Sequence, residues 1–404
     1  MIEMNQNANK GNMLTKVRSK YILKQIFENL KERILLGIIL YNKGLKNRLD
    51  IGINNYKNYS QPLPIKEFKT NPRKINGYNI YLNDACSSDT FSDNEFIIFK
   101  SLNNKFYLVY VNKSNSIIAY DIFENKIFLE IEQERKITTS CFSHYRDNNK
   151  KRDLIMSIEP ISNDIKIWNF TKNLQLIRMF HKINKHGYLN TANFFSDDND
   201  IYIMTSNHRY TGKNVEPIKI YDLKGNKIKE LKDSNENVSF LDSYHDRKIN
   251  KKYIIAAFSR YIRVYNFNEN SIYNVYKDKY NPFHRNVIVN DNDDKLTKLI
   301  ESSSDGYIRI WDFHKAKLIK RILINNNKES VFGFCLWNNE CIFAGVKDDI
   351  VLVNINTEEI YSRKDYGKSN IIVIKKLNHP EFGECFLTKS KGDHLIKIWI
   401  RKDE

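Results

Sequence analysis

One short pattern returns seven times in this chain of 404 residues. It runs apolar, any residue, apolar, aromatic, Asp or Asn, apolar. It reads "IIAYDI" at 117–122, "IKIWNF" at 165–170, "IKIYDL" at 218–223, "IRVYNF" at 262–267, "IRIWDF" at 308–313, "IVLVNI" at 350–355 and "IKIWI" at 396–400. The aromatic position falls at Tyr120, Trp168, Tyr221, Tyr265, Trp311, Val353 and Trp399, with gaps of 48, 53, 44, 46, 42 and 46 residues. A near-constant period over most of the chain means one supersecondary unit copied many times, and this constrains the fold more than any composition figure.

The flanks identify the unit. A β-rich run precedes each occurrence, as in "DLIMSIEP" (153–160), "IYIMTSN" (201–207) and "YIIAAFS" (253–259). A third run follows most of them, such as "LQLIRMF" (174–180) and "LIKRILI" (318–324), and a fourth lies upstream, such as "VSFLDSY" (238–244) and "IIVIKKL" (371–377). Four short strands per repeat with a period in the mid-forties specify the blade of a β-propeller. The expected fold is all-β, with seven blades over residues 75–404. The last repeat ends after its third strand, so its outer strand must come from elsewhere. The run 78–84, "YNIYLND", is expected to supply it and to close the ring, which also removes an exposed sheet edge.

These stretches resemble the WD-repeat family. Blade five, "SSSDGYIRIWDF" at 302–313, carries the resemblance best. It implies a hydrogen-bonded relay of His284, Ser303, Asp305 and Trp311 that holds the blade together, with His186 in the same part in blade three. The role is structural, because a buried Asp needs donors and the His and Trp N–H groups need acceptors. Arg309 alternates in direction with Ile308 and Ile310, so its charge is expected to reach solvent or a blade boundary. Other repeats depart from the pattern. Blade three inserts "NHRYTGKNVEP" (207–217), blade four has Arg260 near the place of the turn Asp, and blade six has Val353 for the aromatic.

The N-terminal part differs. "VRSKYILKQIFENLKERILLGIIL" (17–40) spaces Ile22, Ile26, Phe27 and Leu30 at helical intervals. It resembles the F-box, although Lys20-Tyr21 replaces the family's Leu-Pro opening and no Cys-x-x-Trp follows. The expected organisation is a disordered N-terminus (1–16), a helical F-box-like segment (17–53), a Pro- and Asn-containing linker (54–74) and the propeller. A plain helical hairpin is the alternative for 17–53.

Little in the chain suggests catalysis. GxxxxGK[ST], GxGxxG, HExxH and GxSxG are all absent. The five cysteines are odd in number, irregularly spaced and without CxxC, which fits free thiols in a reducing compartment rather than disulfides or zinc. Acidic runs such as "SDDND" (196–200) lack EF-hand spacing. No catalytic residue, metal or cofactor is expected. The first 13 residues lack a secretory apolar core, and "ILLGIIL" (34–40) is too short to span a bilayer. An intracellular monomer, cytoplasmic or nuclear, is expected.

The function expected is therefore a protein-interaction scaffold. Two alternatives stand beside it. In one, Ile22, Ile26, Phe27 and Leu30 dock an Skp-type adaptor and the propeller presents substrate to an SCF ubiquitin ligase. In the other, the basic N-terminus binds RNA, as in ribosome-biogenesis propellers: residues 1–75 hold 15 Lys and Arg against 5 Asp and Glu, ten of the net +17. A solvated surface in a chain biased to Lys and Asn throughout is the preferred reading of that excess. Arg209, Lys213, Arg260 and Arg285 are the candidate partner-binding residues, since Arg matches carboxylate and phosphate oxygens in pairs. Ordinary surface charge is the alternative for each.

Overall fold

The computed structural model describes Asn79–Tyr81 and residues 96–400, apart from short connecting stretches. All of these lie in the unit Ile65–Arg401. They form seven four-stranded antiparallel sheets in a seven-bladed β-propeller. Six blades are consecutive in sequence: 96–132, 141–180, 188–230, 238–276, 284–323 and 331–365. Blade seven takes Ile371–His379, Gly383–Ser390 and Leu395–Ile400, and its outer strand is Asn79–Tyr81. That strand pairs antiparallel with the C-terminal one, Asn79 opposite Lys397 and Tyr81 opposite Leu395. Among the described residues the only helical element is a 3-10 turn, Phe170–Lys172, and no helix is long and apolar enough to cross a membrane. The segment expected to be helical, with Ile22, Ile26, Phe27 and Leu30, lies outside the described residues.

The sequence repeat is also a repeat in hydrogen-bond register. In blades one to six, the pairing of third and outer strands slips at the signature aromatic: at Tyr120, Trp168, Tyr221, Tyr265, Trp311 and Val353. A bulge there steepens the twist at the same place in each blade. The Asp or Asn that follows has a separate job. Asp121, Asp222, Asn266, Asp312 and Asn354 each turn Oδ1 onto backbone N–H groups of the next turn, for example Asp312 onto those of His314 and Lys315. The short Asx side chain thus stands in for a backbone acceptor. Turns are Gly-poor because Asn104, Asn163, Asn173, Asn250 and Asn270 take positive φ instead.

The core does not sit at the centre of the disc. It is split into layers between neighbouring blades, such as Ile155 and Trp168 of blade two against Ile97 and Val109 of blade one. Between blades six and seven, Phe343 and Phe386 stack at 4.2 Å. Inner strands are therefore buried on both faces and read as apolar runs. Burying each such side chain is worth roughly 1.5–3 kcal/mol.

Candidate recognition face

Two kinds of connection meet on one face of the ring: the turn between second and third strands, and the loop from one blade's outer strand to the next blade's first. At the junction of blades four and five, this face is built around a buried arginine. Arg309, on the third strand Tyr307–Asp312, is fully buried. Its Nε donates to Asp278 Oδ2 at 2.5 Å, its Nη1 to Ser303 Oγ at 2.5 Å, and its Nη2 to Asp305 Oδ2 at 2.5 Å. Asp278 comes from the loop leaving blade four, and its Oδ1 accepts from Arg321 Nη2 at 2.5 Å. Burial opposes ionisation of both acids, yet the arginines hold Asp278 and Asp305 below the ordinary carboxylate range. Arg309 thus reaches the blade boundary rather than solvent, because its counter-charges lie in the loop of the preceding blade and in its own turn.

The same position recurs. Two residues before the aromatic stand Lys166, Lys219, Arg263, Arg309 and Lys397 in five of seven repeats. Lys166 pairs with Glu159 at 2.8 Å, and Lys219 with Glu216. Arg263 instead donates to the carbonyl of Asp233 and covers Tyr261 at 4.6 Å.

The residues expected to form the blade-five relay are only partly joined. Ser303 Oγ donates to Asp305 Oδ1 at 2.6 Å, and His284 stands opposite Ser303 in register. Trp311 stands apart: its Nε1 is buried with no hydrogen-bond partner, and its ring packs edge-on against Tyr276 at 5.8 Å. The reason appears in the other blades. Trp168 Nε1 donates to Ser157 Oγ at 3.1 Å, and Trp399 Nε1 to Thr388 Oγ1 at 2.7 Å. The matching position in blade five, two residues past the one facing the Trp, is Glu301, which faces Arg309 instead. In blade five, Arg309 connects Ser303 and Asp305 and the Trp acts through packing alone. His186 lies outside the described residues.

A second polar network joins blades one and two. Ser101 Oγ and Leu102 N donate to Asp153 Oδ2 at 2.5 and 2.9 Å, and His144 Nε2 meets Asp153 Oδ1 at 2.9 Å. Asp153 stands in the middle, so His144 cannot take the Ser101 proton and the trio is not arranged as an activated nucleophile. Burial pushes the His144 pKa down despite Asp153, keeping the imidazole neutral near pH 7. Among the described residues no group of three or more His, Cys, Asp or Glu side chains is placed to hold a metal ion.

Around the buried arginine the face is exposed and basic. Tyr280, two residues after Asp278, is 61% exposed. The Arg321 guanidinium lies 4.9 Å from its ring centroid and Lys279 Nζ lies 4.8 Å away. Lys277, Lys279 and Arg260 are exposed, Arg260 in the turn between the second and third strands of blade four. Arg285 falls at the register slip of the first strand of blade five. Arg209 and Lys213 lie outside the described residues. Asp278 and Tyr280 were missed from sequence because the stretch after Tyr276 carries no repeat signal, and Arg321 because its outer strand, Lys317–Leu323, lies outside the signature. The cation that recurs two residues before the aromatic is the sequence signal that could have singled out Arg309.

No protein-family model matches this chain, and no curated protein matches it.

Proposed function

We propose that this chain is a non-enzymatic, WD-repeat-type scaffold whose face at blades four and five binds an acidic or phosphorylated peptide of a protein partner. The observation that carries this reading is Tyr280, exposed between Arg321 and Lys279 and on the same face as Arg260. An exposed aromatic held against cations offers apolar area and charge together, the combination favoured at interaction hot spots. Arg321 is held in place through Asp278 by the buried Arg309, so the anchor is pre-ordered.

The test is binding to an array of acidic and phosphorylated peptides. The reading expects peptides whose capture falls at least about tenfold with Tyr280→Ala, weakens with salt, and leaves the unfolding temperature unchanged. Capture indifferent to Tyr280→Ala and Arg260→Ala would overturn it. The F-box-type alternative rests on the segment 17–40, and co-purification with an Skp-type adaptor, abolished by Phe27→Ala, is its measurement. The same propeller face would then receive the substrate.

A further inference from the structure

Lys166, Lys219 and Arg309 hold the same place in their repeats, and each meets a carboxylate of this chain. Arg263 holds that place in blade four and forms an ion pair with no carboxylate among the described residues. None of the acidic partners of Arg309 is reproduced there. Asp233 follows Leu231, bonded to Ile218, as Asp278 follows Tyr276, paired with Ile262. Yet Asp233 gives Arg263 its backbone carbonyl, whereas Asp278 gives Arg309 its carboxylate. Glu301 stands opposite Arg309 in register, and Ala256 stands opposite Arg263. The turn of blade four is also shorter. Ala257 and Ile262 enclose 258–261, where Ser302 and Ile308 enclose 303–307. No acid lies within 258–261, so Asp305 has no counterpart.

Arg263 is held in place even so. It is half-buried, and its guanidinium lies 4.6 Å from the ring centroid of Tyr261 and 5.5 Å from that of Phe258. The Tyr261 hydroxyl donates to Glu236 Oε1, which fixes the ring and engages that acid. Arg263 Nη1 donates to the Asp233 carbonyl, and Nε is buried with no hydrogen-bond partner. A cation partly withdrawn from water without a counter-charge is costly, and an incoming anion relieves that cost. Because the rings already order the side chain, little freedom is lost when it is used. Arg260, exposed in the same turn, adds positive charge.

We propose that Arg263 is a second anchor of the recognition face, at the junction of blades three and four. A carboxylate or phosphate of the bound peptide lies against its guanidinium, in the role that Asp278 and Asp305 have toward Arg309. This rests on the peptide-binding reading above, in which Tyr280 is the first anchor. A planar fork of donors takes such oxygens in pairs, so lysine is a poor substitute.

Two measurements test it. In the first, acidic and phosphorylated peptides captured by the parent are offered to Arg263→Gln and Arg263→Lys. The glutamine is expected to weaken capture at least about tenfold and the lysine to restore only part of it. Capture by Arg263→Gln equal to the parent's, where Tyr280→Ala reduces it, overturns this inference and leaves the reading of the face intact. In the second, the full unaltered chain, its arginines labelled with heavy nitrogen, is titrated with inorganic phosphate and with acetate. The Arg263 Nε–H resonance, identified by its loss in Arg263→Lys, is expected to shift saturably with Kd of about 10 mM or below for at least one anion. The Arg309 resonance, already paired within the chain, should stay in place. An Arg263 resonance that moves no more than that of Arg309 overturns the proposal, whether or not any peptide is captured. A response to phosphate alone assigns the peptide's group to a phosphorylated residue, and a response to acetate assigns it to an acidic side chain.

Discussion

Arg309 Nε lies 2.5 Å from Asp278 Oδ2, across the boundary between blades four and five. The pair ties the third strand of one blade to the loop leaving the blade before it. Removing the arginine leaves Asp278 with Arg321 alone and takes the neighbouring cation from the fully buried Glu301 and the partly exposed Asp305. Arg309→Met should therefore cost about 3–5 kcal/mol in a urea titration. A loss under about 1 kcal/mol would show that water reaches the acids.

The tryptophans should differ among themselves. Trp399 and Trp168 give hydrogen bonds to Thr388 and Ser157, and Trp311 gives none. Trp→Phe should accordingly cost more at 399 than at 311, by roughly 1 kcal/mol. Trp311→Ala still removes a large buried ring and should cost about 3–5 kcal/mol. Equal Phe penalties at the two positions would contradict the assignment.

Stability should fall as pH rises through the range where Asp242 ionises. Its folded pKa is about 6, above the ordinary aspartate value. Between the two values the folded state keeps a proton that the unfolded state has released, so raising pH favours unfolding, and the deficit persists at higher pH. Against Asp242→Asn, the parent should lose roughly 1–3 kcal/mol between about pH 4 and pH 7. Parallel pH profiles of the two proteins would refute this.

Two glycines separate backbone strain from crowding. Gly306 and Gly383 both take positive φ, +81° and +71°. A Cβ on Gly306 would lie 2.7 Å from the Lys328 Cα, while one on Gly383 meets nothing within 4 Å. Gly383→Ala should cost about 1–2 kcal/mol from conformation alone. Gly306→Ala should exceed it by at least about 1 kcal/mol, because backbone must move. Thermal unfolding of both variants gives the comparison.

The ring was legible in sequence because its signal is written seven times. Spacing alone recovered blade six, where Val353 holds the aromatic position. The Asp after Trp311 was legible too, since a turn cap acts within a few residues. Arg309 was harder. Its direction followed from strand alternation, but its partner Asp278 sits in the preceding blade, where nothing repeats. The missing Trp311 hydrogen bond depended on Glu301 at a position that Ser157 and Thr388 fill elsewhere, and only register through the strands reveals it. The bonds from Ser143 to Asn193 and from Asn193 to Asp242 were invisible for the same reason: they join three blades through residues of no common type.

Strand Asn79–Tyr81 joins blade seven to a segment from the far end of the described chain. During synthesis on the ribosome, six blades emerge before their last partner exists. Until Leu395–Ile400 is released, the two flanks that will meet at the seam, at blades one and seven, present raw β-edges and unburied apolar layers to their surroundings. The circle is sealed by contacts of maximal sequence separation, which are slow to form. The seam is thus the place where a nascent copy is most open to pairing with the wrong neighbour.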